Sequence, residues 1–322
     1  MTVMNLVQAV NSGLKCALAD DARVVVLGED VGVDGGVFRA TEGLLKQFGR
    51  QRVMDTPLAE SAIIGVSIGM AAAGLRPVPE IQFSGFLYMA FAQLINHAAR
   101  IRTRSRGSFS CPLVVRTPYG GGIRALEHHS ESMEAVYVHA PGLKVVIPSS
   151  PYDAKGLLIS AIRDNDPTIF MEPSRLYRAV KEDVPEESYT VPLGKAKVVR
   201  AGSQVTVISW GSMLQQTKLA LAHTNVDVEL IDLRTLKPLD IDTVIASVKK
   251  TGRCVVVQEA PRTGGLSSEI VAQINDRALS SLQSPVIRVT GFDTVFPLYK
   301  LEDNYLPSTE RIVAAIEEAA NY

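Results

Sequence analysis

The chain contains 322 residues, of which 46% are hydrophobic and 21% are charged, and its formal net charge is −1. This length exceeds one ordinary hydrophobic core, and the composition is that of a globular protein, so two domains are expected. The near-zero charge argues against a general polyanion-binding protein. The three cysteines, Cys16, Cys111 and Cys254, show no paired spacing, which argues against a disulfide framework and a structural zinc site.

The N-terminus lacks the basic stretch followed by an apolar stretch that marks a secretory signal. The longest run of small and apolar residues, 62–75, is too short and too rich in glycine to be a convincing membrane span. We therefore expect a cytoplasmic protein with no membrane or nucleic acid partner.

Apolar strands alternate with segments of helical periodicity along most of the chain, which is typical of parallel-sheet α/β domains. The first predicted helix covers residues 5–19, and residues 23–28 form an apolar strand that ends at Glu29 and Asp30. Ligands of open α/β sheets bind at the carboxyl ends of strands, which makes this end a candidate site. Further strands are predicted at residues 78–81, 113–116, 143–147 and 168–171, and helices at residues 61–73, 89–103, 130–139 and 151–165.

Residues 172–192 are rich in proline and acidic residues and lack sustained periodicity, which indicates an interdomain linker. We place the first domain at residues 1–180, the linker at residues 181–194 and the second domain at residues 195–322. The second domain is also predicted to be α/β. Its predicted strands are residues 196–200, 205–209, 226–231, 254–258 and 286–290.

The predicted helix after Glu60 has one face with almost no side chains. Ser61, Gly65, Gly69 and Ala73 recur at every fourth position on that face. Glycine inside a helix costs about 0.8–1 kcal/mol relative to alanine, which is best explained by the close approach of another backbone. That backbone could belong to the same domain or to another subunit, and a contact between subunits is favoured.

Three further features could carry chemistry, but each has a simpler explanation. Residues 120–122 are consecutive glycines, which could cradle a phosphate or form a flexible turn. His128 and His129 are adjacent, so their side chains are expected to diverge, and either could be exposed on a loop. Glu60 stands at a helix start, where the helix dipole alone favours a carboxylate.

Seven segments resemble one known family, in order and over essentially the whole chain. They are VVVLGEDVGVDGGVFRATEGL, DTPLAESAIIGVSIGMA, PEIQFSGF, HHSESMEA, KVVIPSSPYDAKGLLISAIRDNDP, LRTLKPLD and VVVQEAPRTGG. The family is the beta subunit of the first component of pyruvate and branched-chain 2-oxoacid dehydrogenase complexes. The resemblance implies a thiamine-diphosphate pyrimidine-binding domain, a parallel sheet with helices on both faces, followed by a transketolase C-terminal-like α/β domain.

The resemblance also implies roles for individual residues. Glu60 matches the catalytic glutamate that hydrogen-bonds the aminopyrimidine ring of thiamine diphosphate and favours its imino tautomer. Phe86 matches the aromatic residue that packs on this ring. His129 matches a histidine that transfers protons and positions intermediates, including in acyl transfer to lipoamide, whereas His128 has no such match. The other expected cofactor-pocket residues are Glu29, Leu58, Ala59 and Gln82.

Two more features follow from the resemblance. Gly65 and Gly69 match a glycine pair at subunit contacts. Relatives hold a structural potassium ion with carbonyls and a carboxylate, which suit a hard cation. The matching residues here are Leu113, Ala161, Ile162, Asp164 and Asp166. A simple acidic loop after a helix is the alternative explanation for this segment.

The family's diphosphate motif, a GDG sequence followed by paired asparagines, is absent from this chain. The resemblance therefore implies an alpha subunit that supplies the diphosphate and magnesium site, in a heterotetramer of two alpha and two beta chains. A lipoyl acyltransferase is expected to dock on residues 205–322. We expect oxidative decarboxylation of a 2-oxoacid, with a slight preference for branched-chain substrates. Pyruvate or acetoin is the alternative substrate. Remote alternatives are a deoxyxylulose-phosphate synthase or transketolase fragment and a non-catalytic docking subunit.

Overall fold

The computed structural model describes all 322 residues. The first half contains eight strands and seven helices. The strands are β1 (Thr2–Asn5), β2 (Val24–Gly28), β3 (Val53–Asp55), β4 (Arg76–Glu80), β5 (Val114–Tyr119), β6 (Lys144–Val146), β7 (Thr168–Pro173) and β8 (Lys181–Val184). The helices are α1 (Leu6–Asp20), α2 (Leu44–Phe48), α3 (Glu60–Ala72), α4 (Phe91–Gln93), α5 (Ile101–Arg104), α6 (Glu134–Val138) and α7 (Pro151–Arg163).

The second half contains six strands and five helices. The strands are β9 (Lys197–Arg200), β10 (Val205–Ser209), β11 (Val228–Asp232), β12 (Thr235–Lys237), β13 (Cys254–Val257) and β14 (Ile287–Val289). The helices are α8 (Ser212–Ala220), α9 (Ile241–Thr251), α10 (Leu266–Ala278), α11 (Glu302–Tyr305) and α12 (Thr309–Asn321). No helix of the chain is both long and apolar enough to cross a membrane.

The larger sheet has seven strands in the order β12-β6-β7-β5-β4-β2-β3. The pairs from β6 to β3 are parallel, and every residue of β2, β5 and β7 is buried. Strands that are covered on both faces favour apolar residues on both faces, which explains their mostly apolar sequences. The buried charged exceptions, Arg116 of β5 and Glu172 of β7, pair with each other at 2.7 Å. Because the strands are parallel, the loops after β2, β4 and β5 leave from the same edge of the sheet.

Local sequence signals set the starts of α1 and α7. The Asn5 side chain accepts a 2.9 Å bond from the Gln8 amide, and the Gln8 side chain accepts the Asn5 amide in return, so α1 begins with a capping box. Ser150 caps α7, and Pro151 occupies its first position, as predicted.

Two predicted helices are interrupted by tertiary contacts. The segment predicted as a helix over residues 89–103 is a 3₁₀ helix at Ser84–Ala90, then α4, a π-helical turn at Leu94–Ala98 and α5. The Ala99 carbonyl of this segment lies against Gly142, where a β-carbon would overlap it. The helix predicted over residues 130–139 begins only at Glu134. The preceding Glu131 carbonyl instead accepts bonds from Gly120 and Ser84 at 3.2 and 3.0 Å.

The predicted linker is not an irregular segment throughout. Within it, β8 pairs antiparallel with β1 in a small two-stranded sheet. The buried Lys155 of α7 donates to the carbonyls of Pro185 and Glu186 at 2.5 and 2.8 Å, which ties the next residues to the first half. The acidic and proline-rich composition did not reveal this pairing, because the partner strand lies at the other end of the first half.

The second half forms a five-stranded sheet in the order β14-β13-β10-β11-β9, with only β9 antiparallel. Its β12 leaves this sheet and pairs antiparallel with β6 of the larger sheet. The largest buried apolar cluster spans both halves and includes Leu113 and Tyr137 from the first, and Trp210 and Val256 from the second. The two halves therefore share a sheet and a core.

Candidate active site

The candidate site lies at the carboxyl ends of β2 and β4. Gly28 of β2 is paired with Glu80 of β4, so the residues that follow each strand begin at the same edge. The Thr56 amide donates to the Gly28 carbonyl at 3.0 Å, which brings the loop before α3 to this edge. The start of α3 therefore lies beside the loops after both strands.

Two carboxylates meet at this edge without a cation between them. Glu60 is half-buried and is the first residue of α3, and Ala59 before it provides no side-chain cap. Glu29 is only 7% exposed, and its Oε1 has no hydrogen-bond partner. Burial raises the pKa of Glu29, and the negative charges of Glu60 and Asp30 raise it further. A buried carboxylate atom without a partner is costly, which indicates that this edge is built to face a polar ligand.

The loop after β4 supplies an amide and aromatic side chains. The Gln82 side chain donates a 3.2 Å bond to Asp30, and Asp30 has a left-handed backbone with φ of 58°. Phe83 and Phe86 follow within four residues and pack edge-on with ring centroids 5.9 Å apart. Gln82, Phe83 and Phe86 are all half-buried. This loop therefore forms an aromatic wall beside the acidic pair.

His129 is brought to the same wall from the loop after β5. Its ring lies edge-on to Phe83 and Phe86, with centroid distances of 4.3 and 5.2 Å. Gly85 lies directly against the His128 carbonyl, and a β-carbon at residue 85 would overlap that oxygen. Glycine at this position therefore lets residues 127–131, called here the histidine segment, approach the aromatic wall.

The environment of His129 favours a neutral imidazole. Burial lowers its pKa, His128 lowers it further, and Glu127 opposes this shift. Its Nδ1 is buried and has no partner in the chain. A neutral ring with an unpaired nitrogen can accept or donate a proton near neutral pH.

His128 differs from the expectation that adjacent histidine side chains diverge. The two rings are 4.4 Å apart, and the His128 ring also packs on Phe86 at 5.4 Å. A short 3₁₀ helix at Glu127–His129 replaces the extended loop in which neighbouring side chains would point apart. His128 also lies 3.5 Å from Glu127 through Nδ1, so it forms part of the same cluster.

These residues fit the aminopyrimidine ring of thiamine diphosphate. Glu60 and the unpaired oxygen of Glu29 provide acceptors at the strand ends, and Phe86 provides an apolar face. Strand ends of open α/β sheets are the usual place for such a ligand. Of the other expected pocket residues, Ala59 is half-buried beside Glu60, whereas Leu58 is 78% exposed.

The two glycines of the α3 face have no neighbour within the chain, although Ser61 of the same face accepts a 3.1 Å bond from Gln93. A β-carbon at Gly65 or Gly69 would meet no atom within 4 Å. Tight packing inside the same domain, the alternative considered from the sequence, is therefore excluded at Gly65 and Gly69. The face lies open on the side of the helix opposite Ile63, Ile64 and Ile68, which are buried in the chain.

The expected potassium ligands lie together, remote in sequence from the acidic pair. They are Leu113, Ala161, Ile162, Asp164 and Asp166. Arg76 donates to the carbonyls of Ile162 and Asp164, both at 2.9 Å. Lys144 lies 2.6 Å from the Asp164 carboxylate, and Arg102 lies 2.7 Å from that of Asp166. The Leu113 and Ala161 carbonyls accept backbone amides. Side-chain cations therefore contact three of the five expected ligands, and the potassium site stays a prediction.

Sequence reasoning missed Phe83 as a member of the cluster and, although it placed Asp30 at the candidate strand end, predicted no contact for it. Phe83 packs more closely on His129 than Phe86 does, and Asp30 holds the Gln82 amide. Both stood next to expected residues, within GED and IQFSGF, so the motifs contained the signal. Of the two explanations for residues 120–122, the amide contacts favour neither a free phosphate cradle nor a flexible turn, because Gly121 and Gly122 donate to the carboxylates of Glu259 and Glu302.

Comparison with known proteins places the whole chain in one fold. Residues 3–180 match the transketolase pyrimidine binding domain, and residues 194–312 match the transketolase C-terminal domain. A solved structure described as a split gene transketolase, an inactive beta4 tetramer, superposes with a TM-score of 0.80 over 99% of this chain and 98% of that one. Its sequence identity is 22%, so this likeness concerns the fold alone. The fold and the acidic edge define a thiamine-diphosphate-dependent enzyme subunit of the transketolase type.

Sequence relatives define the family more narrowly. The chain is 50% identical over 325 residues to the pyruvate dehydrogenase E1 component subunit beta of Bacillus subtilis, covering 100% of both chains. It is 49% identical to the subunit of the same name from Acholeplasma laidlawii over 99% of both chains, and 48% identical to that of Staphylococcus aureus over the full length of both. The chain belongs to the family of beta subunits of the 2-oxoacid dehydrogenase first component. The expected preference for branched-chain substrates finds no support among these relatives.

Proposed function

We propose that this chain is the beta half of a pyruvate dehydrogenase first component, completed by an alpha-type partner. The observation that carries the proposal is a half-built site. Glu60, Glu29, Phe86 and His129 meet at one sheet edge, while the chain has no diphosphate-binding motif. The names of relatives at 48–50% identity support pyruvate as the substrate. Branched-chain 2-oxoacids and acetoin are the alternative substrates that the test compares with pyruvate.

The residues at the edge have separate tasks. Thiamine diphosphate, when bound, supplies the carbanion chemistry. Glu60 orients and polarises the aminopyrimidine ring through a hydrogen bond that is strong in a water-poor pocket. His129 accepts and returns a proton at its unpaired Nδ1. Phe83 and Phe86 hold the His129 ring and exclude water from its edges.

The partner is expected to cover the open side of this edge. Large apolar side chains surround it in an exposed state: Leu58 is 78% exposed, Tyr88 46%, Met89 68% and Leu126 54%. Exposed apolar residues grouped round a site are typical of a surface that another chain covers. We assign the diphosphate and its magnesium ion to that chain. The open faces at Gly65 and Gly69 support an assembly of two alpha and two beta chains. A lipoyl acyltransferase would dock on residues 205–322.

The test is to purify the chain alone and together with its alpha-type partner, and to measure 2-oxoacid-dependent reduction of an artificial electron acceptor. We expect activity only from the pair, with pyruvate used faster than 2-oxoisovalerate or acetoin. Activity of the isolated chain would contradict the half-site. A faster rate with 2-oxoisovalerate than with pyruvate would favour a branched-chain substrate. Binding of the acyltransferase without any turnover would indicate a docking subunit.

The role of Glu60 is tested separately from a simple helix-start effect. Glu60→Gln in the assembled enzyme should lower kcat by about 10²–10⁴-fold, the usual contribution of a positioned acid or base. The matched control is Glu310→Gln, because Glu310 also lies in the first turn of a helix but is remote from the site. If both substitutions lower kcat equally, Glu60 acts only through the helix dipole and not on the cofactor.

A further inference from the structure

The glycine loop, residues 120–122, is the point at which the second half of the chain holds the histidine segment. Each glycine faces a different side chain. A β-carbon at Gly120 would lie 2.8 Å from Oε1 of Glu259, one at Gly121 would overlap the Phe296 ring, and one at Gly122 would overlap the Arg175 side chain. Glu259 and Phe296 come from the second half. Gly120 and Gly121 are therefore needed for close docking between the halves, whereas Gly122 makes room for Arg175 of the first half.

Two buried carboxylates of the second half bind the backbone of this loop. Gly121 donates its amide to Glu259, which follows β13, and Gly122 donates to Glu302 at the start of α11. Glu259 is 4% exposed and Glu302 is 2% exposed, and neither lies within ion-pair distance of a lysine, arginine or histidine. Burying a carboxylate without a cation is costly, so its retention at an interdomain contact indicates a task.

The glycine loop, held by Glu259 and Glu302, in turn binds the histidine segment. The Gly120 amide donates to the Glu131 carbonyl at 3.2 Å, which closes the loop that carries His129. The same carbonyl accepts a 3.0 Å bond from Ser84, next to the aromatic residues that hold the imidazole ring. A shift of the glycine loop would therefore move the histidine segment relative to Phe83 and Phe86.

We propose that Glu259 is a positioning residue that, together with Glu302, fixes His129 through the backbone of residues 120–122. This inference rests on the proposed function, since it assumes that His129 takes part in turnover. Glu259 lies in the second half and does not contact the acidic pair Glu29 and Glu60, so cofactor binding should not depend on it.

The test uses the assembled enzyme with its alpha-type partner. Glu259→Leu has nearly the same size but removes the acceptor, whereas Glu259→Gln keeps an oxygen for the Gly121 amide. We expect the leucine variant to lose at least about tenfold in kcat, because misplacing a catalytic group by about 1 Å can cost 10²-fold. The glutamine variant should stay within about threefold of the unmodified enzyme. Affinity for thiamine diphosphate, measured by calorimetric titration, should change by less than about twofold in both.

The matched control is Glu229→Leu. Glu229 is a 5% exposed carboxylate in the same sheet, but its partner is Lys250, and it does not contact the glycine loop. We expect Glu229→Leu to lower the thermal midpoint without a selective loss of kcat. If Glu259→Leu and Glu229→Leu have the same kcat, or if Glu259→Gln is as slow as Glu259→Leu, the positioning role is wrong. Should Glu259→Leu not fold, Glu302→Ala in the short helix α11 removes the second carboxylate contact with the same loop, that to the Gly122 amide, and should also lower kcat.

A double substitution separates this inference from the proposed function. If Glu259 acts through His129, Glu259→Leu should slow turnover little further in a His129→Asn background. If the two single-variant losses in kcat multiply in the double variant, the positioning role is wrong and the proposed function still stands. Full activity of His129→Asn alone would instead overturn the role of His129 in the proposed function.

Discussion

Buried ionisable groups in this chain are shifted mainly by desolvation. Glu29 and Glu259 have raised pKa values because each is buried, and that of Glu259 reaches about 7. The pKa of Asp232 is also raised to about 7, by burial and by the charge of Asp153. His129 shows the opposite shift for the same reason, since burial disfavours its cationic form. The candidate site therefore combines a His129 imidazole whose neutral form is favoured with a Glu29 carboxyl group whose ionisation is disfavoured by burial.

Asp232 leads to a prediction about pH and stability. Its pKa is about 7 in the folded chain, against an ordinary value of 3.8. Between these two pH values the folded state therefore still holds a proton that the unfolded state has lost. The unfolding free energy should therefore fall as pH rises through this window. Asp232→Asn keeps an oxygen for the 2.9 Å bond from Ser149 and should flatten the decrease.

The measurement is urea unfolding of the full chain at pH 5 and pH 8. Glu259 titrates in the same range, so part of the slope should remain in Asp232→Asn. Asp242→Asn is the control, because Asp242 is 83% exposed and pairs with Arg277 at the surface. The same pH slope in Asp232→Asn and in the unmodified chain would contradict the prediction.

At the scale of one element, α3 combines two functions in thirteen residues. Its first residue is Glu60, and its length carries the open glycine face at Gly65 and Gly69. The helix is apolar on both sides, as is usual for a helix that is covered all round. The chain itself covers only one side, through Ile63, Ile64 and Ile68. In the proposed assembly, placement of the Glu60 carboxylate and contact with another chain would depend on the same helix.

Gly69→Leu should have opposite effects on the isolated chain and on the assembly. Nothing lies within 4 Å of a β-carbon at this position, so the isolated chain should gain about 0.5–1 kcal/mol from the better helix propensity. The added side chain should block the close approach of another subunit. Urea unfolding of the isolated chain measures the first effect, and sedimentation of the mixture with the alpha-type partner measures the second.

The control for Gly69→Leu is Ala314→Leu, which adds an exposed leucine to α12. It should leave the assembled species unchanged. If Gly69→Leu assembles normally, the glycine face does not form the subunit contact.

At the scale of the whole molecule, the second half completes the sheet of the first. Strand β12 pairs with β6, and Lys237 at its end donates to the carbonyls of Val138 and Ala140 at 2.7 and 2.8 Å. Trp210 also crosses between the halves and donates to the buried Glu134 at 3.3 Å. A shared sheet and core couple the stability of the two halves.

Calorimetry should therefore show one cooperative unfolding transition for the full chain. Lys237→Met leaves two carbonyls without their charged donor and should lower the unfolding free energy by about 1–3 kcal/mol. It should lower the single midpoint rather than split it. Lys197→Met is the control, because Lys197 is half-exposed and its nearest carboxylate, Asp153, is 3.9 Å away. Two separate transitions in the unmodified chain would mean that the halves fold independently.

The sequence by itself determined the α/β class, most strands and the helix start at Pro151, because strand burial and helix caps are local patterns. Its motifs also identified Glu60, Phe86 and His129 as one group. Features that depend on contacts between distant residues were decided only by the tertiary structure. The interrupted helix over residues 89–103, the pairing of β12 with β6 and the binding of residues 120–122 by Glu259 all depend on residues distant in sequence. Such contacts form only when the chain folds, because their partners carry no local signal of each other.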